Sequence, residues 1–293
     1  MNIAIIGSGG DGAGMNQCLY ELCKRLKKHN ITLFYRGYQG LIDNTVATYS
    51  LNFLKEERTK GGIIIKSSRS PEFMTEKGYK KALKNLKENN VDLLIVMGGN
   101  GSLQGVKKLA SSGVKCIFIP TTIDNDIAES DYCIGFDTAV NNAVDFVTKV
   151  DTSMQAFDRT CIYEVMGRHC PDIANAVAKL TCADYCYTDS STKEDMLKNI
   201  KKALKVDLSP KVILQENVID ANELKTYLQD NLKGADVKVQ IVGYVQRGGY
   251  ATKKELFMAT EFAIEACRCI KLNKFNQIIS YNEKDNNFIG QQI

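Results

Sequence analysis

Two short polar segments carry the residue types that phosphoryl transfer needs. Residues 98–102 read Gly-Gly-Asn-Gly-Ser, residues 120–126 read Pro-Thr-Thr-Ile-Asp-Asn-Asp, and each follows an apolar run that predicts a buried strand. A glycine turn lets backbone N–H groups approach a phosphate. The paired carboxylates of Asp124 and Asp126 could take a proton from a hydroxyl or hold Mg²⁺. Turn or capping roles explain such aspartates equally well, so the pair alone leaves both interpretations open.

A second glycine-rich segment follows the first apolar strand. Residues 7–14 read Gly-Ser-Gly-Gly-Asp-Gly-Ala-Gly and match the spacing of a dinucleotide-binding loop. That loop expects an acid at the end of the second strand, but residues 35–37 read Tyr-Arg-Gly. An arginine there could serve a 2′-phosphate, so an NADP-dependent dehydrogenase and a tight turn without ligand remain alternatives. Two glycine loops on neighbouring strands could also hold the two ends of a polyphosphate.

The second half of the chain places cations and a carboxylate at strand ends. The segments concerned are 164–168, 215–217 and 243–249. Arg168 and Arg247 could each bind an anionic substrate through two hydrogen bonds, and Glu216 could accept hydrogen bonds from sugar hydroxyls. One half of the chain would then hold a polyphosphate and the other an anionic acceptor. This arrangement predicts phosphoryl transfer across a cleft, catalysed by positioning and charge neutralisation.

Strands and helices are predicted to alternate along almost the whole chain. The predicted strands are 2–6, 31–35, 62–66, 92–97, 115–119, 161–165, 211–214, 237–245 and 277–281. The predicted helices are 15–29, 75–89, 103–111, 138–148, 172–181, 193–204, 221–231 and 254–269. This alternation is typical of βαβ units whose parallel sheets are covered on both faces. We therefore expect an α/β fold of two Rossmann-like lobes with mostly parallel sheets.

Composition and charge argue against several classes of function. The net charge of +4 comes without a long basic run, so no nucleic-acid partner is expected. No apolar stretch approaches the length of a membrane span and no signal peptide precedes the first strand, so no membrane partner is expected. The ten cysteines form no zinc-like CxxC pairs, and Cys18, Cys116 and Cys161 fall within apolar patterns. These features favour a reduced, cytoplasmic protein.

The ordered set of motifs resembles the phosphofructokinase family, specifically the bacterial ATP-type 6-phosphofructokinases. The matching segments, spread over nearly the whole chain, are 8–11, 35–41, 70–73, 98–102, 122–126, 135–139, 164–168 and 246–249. The resemblance implies a kinase of glycolysis that moves the ATP γ-phosphate to the C1 hydroxyl of fructose 6-phosphate or a related sugar phosphate. It also implies a larger nucleotide-binding lobe, residues 1–137 plus about 250–293, and a smaller sugar-phosphate-binding lobe, residues 138–249.

The resemblance gives individual residues a role. Asp124 would be the general base for the C1 hydroxyl, with Thr122, Asp126 and Arg168 completing the catalytic set. The residues implied for ATP are Gly10, Tyr38, Arg69, Ser70, Gly99, Asn100, Gly101 and Ser102. The residues implied for the sugar phosphate are Thr122, Ile123, Asp124, Arg159, Met166, Gly167, Arg168, Glu216, Lys238, Tyr244 and Arg247.

Metal binding and assembly follow from the same resemblance. Mg²⁺ would lie at Asn100 and Asp126, although family members normally carry Asp at the first position. Arg159 and Lys238 would come from a neighbouring subunit, so that a homodimer completes the site, and the usual assembly is a homotetramer.

Several positions depart from the family pattern. Asn is a poorer Mg²⁺ ligand than Asp, because Mg²⁺ favours carboxylates and water, so Asn100 raises the alternative of a catalytically weak paralogue that binds sugar phosphate and regulates or assembles with an active subunit. Thr121 stands where ATP enzymes usually have Gly and pyrophosphate enzymes Lys, whereas Gly101 is the ATP-type residue. ATP is therefore favoured, and a pyrophosphate-dependent variant stays open. Tyr244 replaces a usual His and Lys238 a usual Arg, which alters the phosphate end of the sugar pocket.

The regulatory nucleotide site of the family is also altered. Tyr20 and Leu51 stand where arginines are expected to hold the allosteric ligand. Weak or absent regulation by ADP or phosphoenolpyruvate is the expected consequence.

Overall fold

The protein divides into two compact units. The structure, a computed structural model, describes residues 1–206 and 208–293. The first unit comprises Met1–Asp137 and Arg247–Ile293, and the second comprises Thr138–Gln246. The described residues contain no helix that is long and apolar enough to span a membrane.

Strands and helices alternate, as the sequence predicted. The strands are β1 (Asn2–Ser8), β2 (Asn30–Phe34), β3 (Val46–Ala47), β4 (Leu93–Gly98), β5 (Cys116–Pro120), β6 (Thr160–Val165), β7 (Tyr185–Tyr187), β8 (Lys211–Gln215), β9 (Val237–Ile241), β10 (Gln277–Asn282) and β11 (Asn287–Gln292). The α-helices are α1 (Met15–Arg25), α2 (Gly37–Asp43), α3 (Leu51–Glu57), α4 (Pro71–Met74), α5 (Glu76–Glu88), α6 (Asn100–Ser111), α7 (Phe136–Gln155), α8 (Asp172–Leu180), α9 (Lys193–Ala203), α10 (Ala221–Asn231) and α11 (Lys253–Lys271). A 3₁₀ helix spans Gly243–Arg247.

A seven-stranded sheet in the order β11-β10-β5-β4-β1-β2-β3 forms the centre of the first unit. Its pairs are parallel except at the two edges, where β3 and β11 run antiparallel to their neighbours. The chain leaves β1 for β2 on one side and returns to β4 on the other. Ligands of open α/β sheets bind beyond the strand ends at such a reversal of strand order.

Both faces of this sheet are buried. Ile3 and Ile5 of β1 belong to one apolar cluster, which α1 and α11 cover, whereas Ala4 and Ile6 belong to another, covered by α5 and α6. Side chains of a strand alternate between the two faces, so a strand buried on both sides needs a continuous apolar run. The apolar runs that predicted β1, β4 and β5 therefore have a direct structural cause.

The second unit contains a four-stranded parallel sheet in the order β7-β8-β6-β9. Its core includes Ile162 of β6, Leu214 of β8 and Leu228 of α10. The α/β fold class with mostly parallel sheets is thereby confirmed. The carboxyl ends of β6, β8 and β9 carry the polar segments that the sequence singled out in this half of the chain.

Two strand predictions were wrong. Residues 62–66 form turns rather than a strand, because Gly62 has a positive φ of 74° and Ile63 and Ile65 bury their side chains from these turns. The strand predicted over 237–245 ends at Ile241, since Gly243 has a φ of 59° and starts the 3₁₀ helix.

The cysteines predicted to pack as small hydrophobes are buried, and all ten cysteines are free thiols. Burial raises the pKa of the Cys116 and Cys161 thiols to about 12. Since the thiolate is the reactive form, these two residues are inert at neutral pH.

Candidate active site

The two glycine loops meet at the carboxyl ends of β1 and β4. The Ser102 hydroxyl at the start of α6 donates a hydrogen bond of 3.1 Å to the carbonyl oxygen of Ser8. A Cβ atom on Gly98 would lie 2.6 Å from the Ser102 side chain and 2.7 Å from that carbonyl, so only glycine permits this approach. The loops are therefore held together at the reversal of strand order, where a polyphosphate would be expected to bind.

Tyr38 packs against the glycine loop at residues 98–102. Its buried hydroxyl donates a 2.6 Å hydrogen bond to the Ser102 carbonyl oxygen, and its ring stacks on Phe73 at 4.1 Å between centroids. Gly105 of α6 leaves the space that the ring fills, since a Cβ there would lie 2.7 Å from the ring. Tyr38 thus fixes the first turn of α6, and direct contact with ATP stays a prediction.

A third segment, residues 67–70, is hydrogen-bonded to the glycine loop at residues 7–14. The Ser67 hydroxyl donates to the Gly9 carbonyl oxygen at 2.8 Å. Ser70 caps α4 by accepting from the Phe73 amide, and its hydroxyl donates to Gln39 at 2.8 Å. Arg69 lies exposed between these two serines. The serines therefore fix the segment from which Arg69 projects.

The loop after β5 positions the predicted general base. Asp124 is 9% exposed, and its backbone N–H donates to the Thr122 hydroxyl at 3.2 Å. Asn125 adopts a φ of 55° and accepts from the Cys133 amide at 2.8 Å, so it makes the turn between the two aspartates. Ile123 is buried against Gly12 and Gly135. Asn125 therefore supplies turn chemistry between the two aspartates.

Asn100 and Asp126, the two positions implied for Mg²⁺, are in direct contact. The Asn100 side-chain amide donates to the Asp126 main-chain oxygen at 2.9 Å and to its carboxylate Oδ2 at 2.7 Å. The other carboxylate oxygen, Asp126 Oδ1, is buried and has no hydrogen-bond partner. Within the described ranges no three His, Cys, Asp or Glu side chains cluster as a metal site. The unpartnered Asp126 Oδ1 fits Mg²⁺ that keeps most of its ligands as water and phosphate, whereas Asn100 presents to Asp126 an NH₂ group, which cannot bind a cation.

In the second unit, Glu216 organises the backbone after β6. Its Oε1 accepts from the Gly167 amide at 3.0 Å and from the Arg168 amide at 2.8 Å. These bonds hold two unusual backbone conformations, with φ of 148° at Gly167 and 53° at Arg168. Glu216 thus positions Arg168, a role that the sequence did not predict.

Gln246 is another supporting residue that sequence reasoning missed. It is 0% exposed, and its Oε1 accepts from the Met166 amide at 2.7 Å. Its position in the Gln-Arg-Gly-Gly motif at 246–249 was the available signal, since that motif follows a predicted strand.

Negative charges accumulate at the same edge of the second sheet. Burial raises the pKa of the Glu164 carboxyl, and the neighbouring charges of Glu216 and Asp220 add to the effect. Carboxylates that repel one another at a strand end are a common mark of functional sites.

The two cations implied for a neighbouring subunit lie together. Arg159 Nε is 2.7 Å from Asp236 Oδ2, and Lys238 Nζ is 2.7 Å from Asp236 Oδ1. Both cations lower the pKa of the Asp236 carboxyl, with Lys238 the larger cause. Asp236 was also missed, although its spacing of two residues from Lys238 places both side chains on one face of the β9 segment.

Two further predicted residues, Tyr244 and Arg247, occupy different units. Tyr244 is 80% exposed on the 3₁₀ helix of the second unit. Arg247 belongs to the first unit, where its guanidinium lies 3.5 Å from the Asp11 carboxylate and close to Gly10. Arg247 is thus part of the first glycine loop's surroundings.

Linked glycine loops and a buried aspartate at the strand ends of a parallel α/β sheet are features that phosphoryl transfer needs. A family model described as phosphofructokinase matches residues 2–270. The chain belongs to the phosphofructokinase family.

Curated relatives and solved structures agree with this family. The chain is similar to the ATP-dependent 6-phosphofructokinase of Photobacterium profundum (35% identity, covering 90% of this chain and 84% of the relative) and to that of Clostridioides difficile (34%, 99% and 92%). A Pichia pastoris phosphofructokinase superposes with a TM-score of 0.91 at 27% identity, covering 99% of this chain and 34% of the yeast chain. A pyrophosphate-dependent phosphofructokinase from Nitrosospira multiformis (TM-score 0.87, 17% identity, 100% and 85% covered) shares the fold.

Proposed function

We propose that this protein is an ATP-dependent 6-phosphofructokinase, which transfers the γ-phosphate of ATP to the C1 hydroxyl of fructose 6-phosphate. The observation that carries the proposal is the buried Asp124 carboxylate at the carboxyl end of β5, beside glycine loops linked by the Ser102–Ser8 hydrogen bond. Relatives that match most of the chain are named ATP-dependent 6-phosphofructokinases, which supports the same donor and acceptor.

The first unit would bind ATP and supply the base. Backbone N–H groups of Gly10 and of residues 99–102 would hold the phosphates. Asp124 would accept the proton of the C1 hydroxyl as that oxygen attacks phosphorus. Mg²⁺, held through Asp126 beside Asn100, would neutralise charge on the phosphates. This chain's own task is therefore to orient the donor and to receive one proton on Asp124.

The second unit would bind the sugar phosphate. Arg168, set by the Glu216 carboxylate, would contact the anionic substrate, and Glu216 Oε2 would accept from sugar hydroxyls. Met166, Gly167 and Tyr244 would complete that surface, whereas the sugar-phosphate contact implied for Arg247 stays a prediction.

We propose a homodimer that completes each site, assembled into a homotetramer in the cytoplasm. Partly exposed Arg159 and Lys238, both held by Asp236, support a surface offered to a second copy of the chain. Ten free thiols support a reducing location.

A coupled assay with purified protein, Mg-ATP and fructose 6-phosphate tests the proposal. The native chain should turn over, and Asp124→Asn should lose at least about 10²-fold in kcat because the base is gone. No turnover above that of the Asp124→Asn variant would overturn the proposal. Tight sugar-phosphate binding by an inactive native chain would instead favour a regulatory paralogue.

The same assay decides the phosphate donor. We expect the protein to use ATP and not pyrophosphate. Gly101 leaves room for the nucleotide beside the loop, since nothing lies within 4 Å of a Cβ built at this position. Turnover with pyrophosphate and none with ATP would reverse this assignment.

A further inference from the structure

The Asn100 side chain has one orientation that its partners allow. Both atoms it contacts, the Asp126 carbonyl oxygen at 2.9 Å and Asp126 Oδ2 at 2.7 Å, are acceptors. Only the NH₂ group of an amide can donate to both, so Oδ1 of Asn100 must point away from them. An aspartate at position 100 could not make these contacts, because its carboxylate would face two oxygen atoms without a proton.

This contact ties together two segments that are distant in sequence. Asn100 is the first residue of α6, and Asp126 ends the turn that carries Asp124. The remaining Asp126 oxygen, Oδ1, is buried and unpartnered. The Asn100 amide thus fixes the Asp126 carboxylate through Oδ2, whereas Oδ1 can still accept a cation or a hydrogen-bond donor.

We propose that Asn100 is a positioning residue, which holds the Asp126 carboxylate and its turn in place without a bound cation. Two carboxylates at positions 100 and 126 would need a cation between them to stay close, whereas an amide and a carboxylate hold each other without one. The inference rests on the proposed function in one respect, namely that Mg²⁺ reaches the site as its complex with ATP. It follows that this chain keeps the Asp124–Asp126 turn in place when no metal is bound.

Metal dependence of stability tests this idea without any turnover. The Tm of the native chain should be the same with EDTA and with Mg²⁺, in the absence of nucleotide. Asn100→Asp should lower the Tm in EDTA, and Mg²⁺ should restore it, because a ligand that binds only the folded state raises its stability. The helix dipole alone predicts that Asn100→Asp raises the Tm in EDTA, since a negative charge in the first turn of α6 stabilises a helix.

Two further variants separate this effect from simple structural damage. Asn100→Ala loses both hydrogen bonds without gaining a charge, so its Tm should fall and Mg²⁺ should not restore it. Gln104→Glu adds the same charge at an exposed position one turn further along α6 and should show no metal-dependent Tm. If Asn100→Asp does not fold, the Asn100→Ala result still decides whether the amide positions the turn.

Direct binding of Mn²⁺ without nucleotide gives a second readout, by electron paramagnetic resonance of the free ion. Asn100→Asp should bind Mn²⁺ about tenfold more tightly than the native chain, because a second carboxylate is available. Equal Mn²⁺ affinities, or a native Tm that rises with Mg²⁺ alone, would overturn the proposal. Loss of activity with every donor would overturn the proposed function and leave this result intact.

Discussion

At the scale of single residues, much of the candidate site consists of polar groups that hold other polar groups. Asn100 holds Asp126, Glu216 holds the Arg168 backbone, and Gln246 holds Met166. The sequence and its family resemblance gave a site role to each of these residues except Gln246. The contacts themselves could not be predicted, since each hydrogen bond joins residues 26 to 80 positions apart and depends on the folded chain.

The surroundings of Glu164 predict that stability depends on pH. Burial, with the charges of Glu216 and Asp220, raises the pKa of Glu164 in the folded protein above its ordinary value of 4.5. An acid whose pKa is raised on folding destabilises the fold when it ionises, so this cost is absent at low pH and appears as pH rises through the folded pKa. Because Glu164 is only partly buried and its charge is screened by solvent, Glu164→Gln should increase the free energy of unfolding at pH 7 by only about 0.5 kcal/mol, and by much less at pH 4.

Urea unfolding at the two pH values measures the Glu164 effect. Glu56→Gln removes the same charge from an exposed position on α3 and serves as the matched control. An equal gain for Glu164→Gln at pH 4 and pH 7 would show that ionisation is not the cause.

At the scale of elements, long strands and helices were predictable and short supporting elements were not. The apolar runs of β1, β4 and β5 are unambiguous because both faces of the strands are buried. The short helices α2 and α4 were missed, since helices of four to seven residues have little stability of their own and depend on packing. Helix α2 contains Tyr38, and α4 directly follows Ser70. Sequence patterns therefore could not predict how the loop at residues 98–102 is supported.

The packing of Tyr38 of α2 against Gly105 of α6 can be tested by Gly105→Ala. Helix propensity alone favours alanine by about 1 kcal/mol, but the new methyl group would lie 2.7 Å from the tyrosine ring and hydroxyl. Displacing the ring would break its hydrogen bond to Ser102, so overpacking should win and destabilise the protein by about 1–3 kcal/mol. The KM for ATP should rise as the loop loses its support.

Denaturant unfolding and ATP titration of the initial rate measure the two effects of Gly105→Ala. Gly101→Ala in the same helix has open space around the added methyl group and is the control for stability. A stabilised Gly105→Ala protein would mean that Tyr38 does not support α6 as described.

At the scale of the whole molecule, the proposed dimer places residues of one chain in two different active sites. Asp124 would act in its own subunit, whereas Arg159 would serve the site of a neighbouring subunit. In a mixed dimer of an Asp124→Asn chain and an Arg159→Ala chain, one site would lack both groups and the other would have both. Complementation between two inactive variants is therefore a direct test of shared sites.

We expect each variant alone to be nearly inactive and an equimolar mixture, refolded or coexpressed, to recover about a quarter of the native rate. Random pairing makes half of the dimers mixed, and half of the sites in those dimers are intact. Asp124→Asn mixed with Thr122→Ala is the control, because both changes lie in the same turn of the first unit and should not complement. Failure to complement would show that Arg159 does not act in the site of a neighbouring subunit.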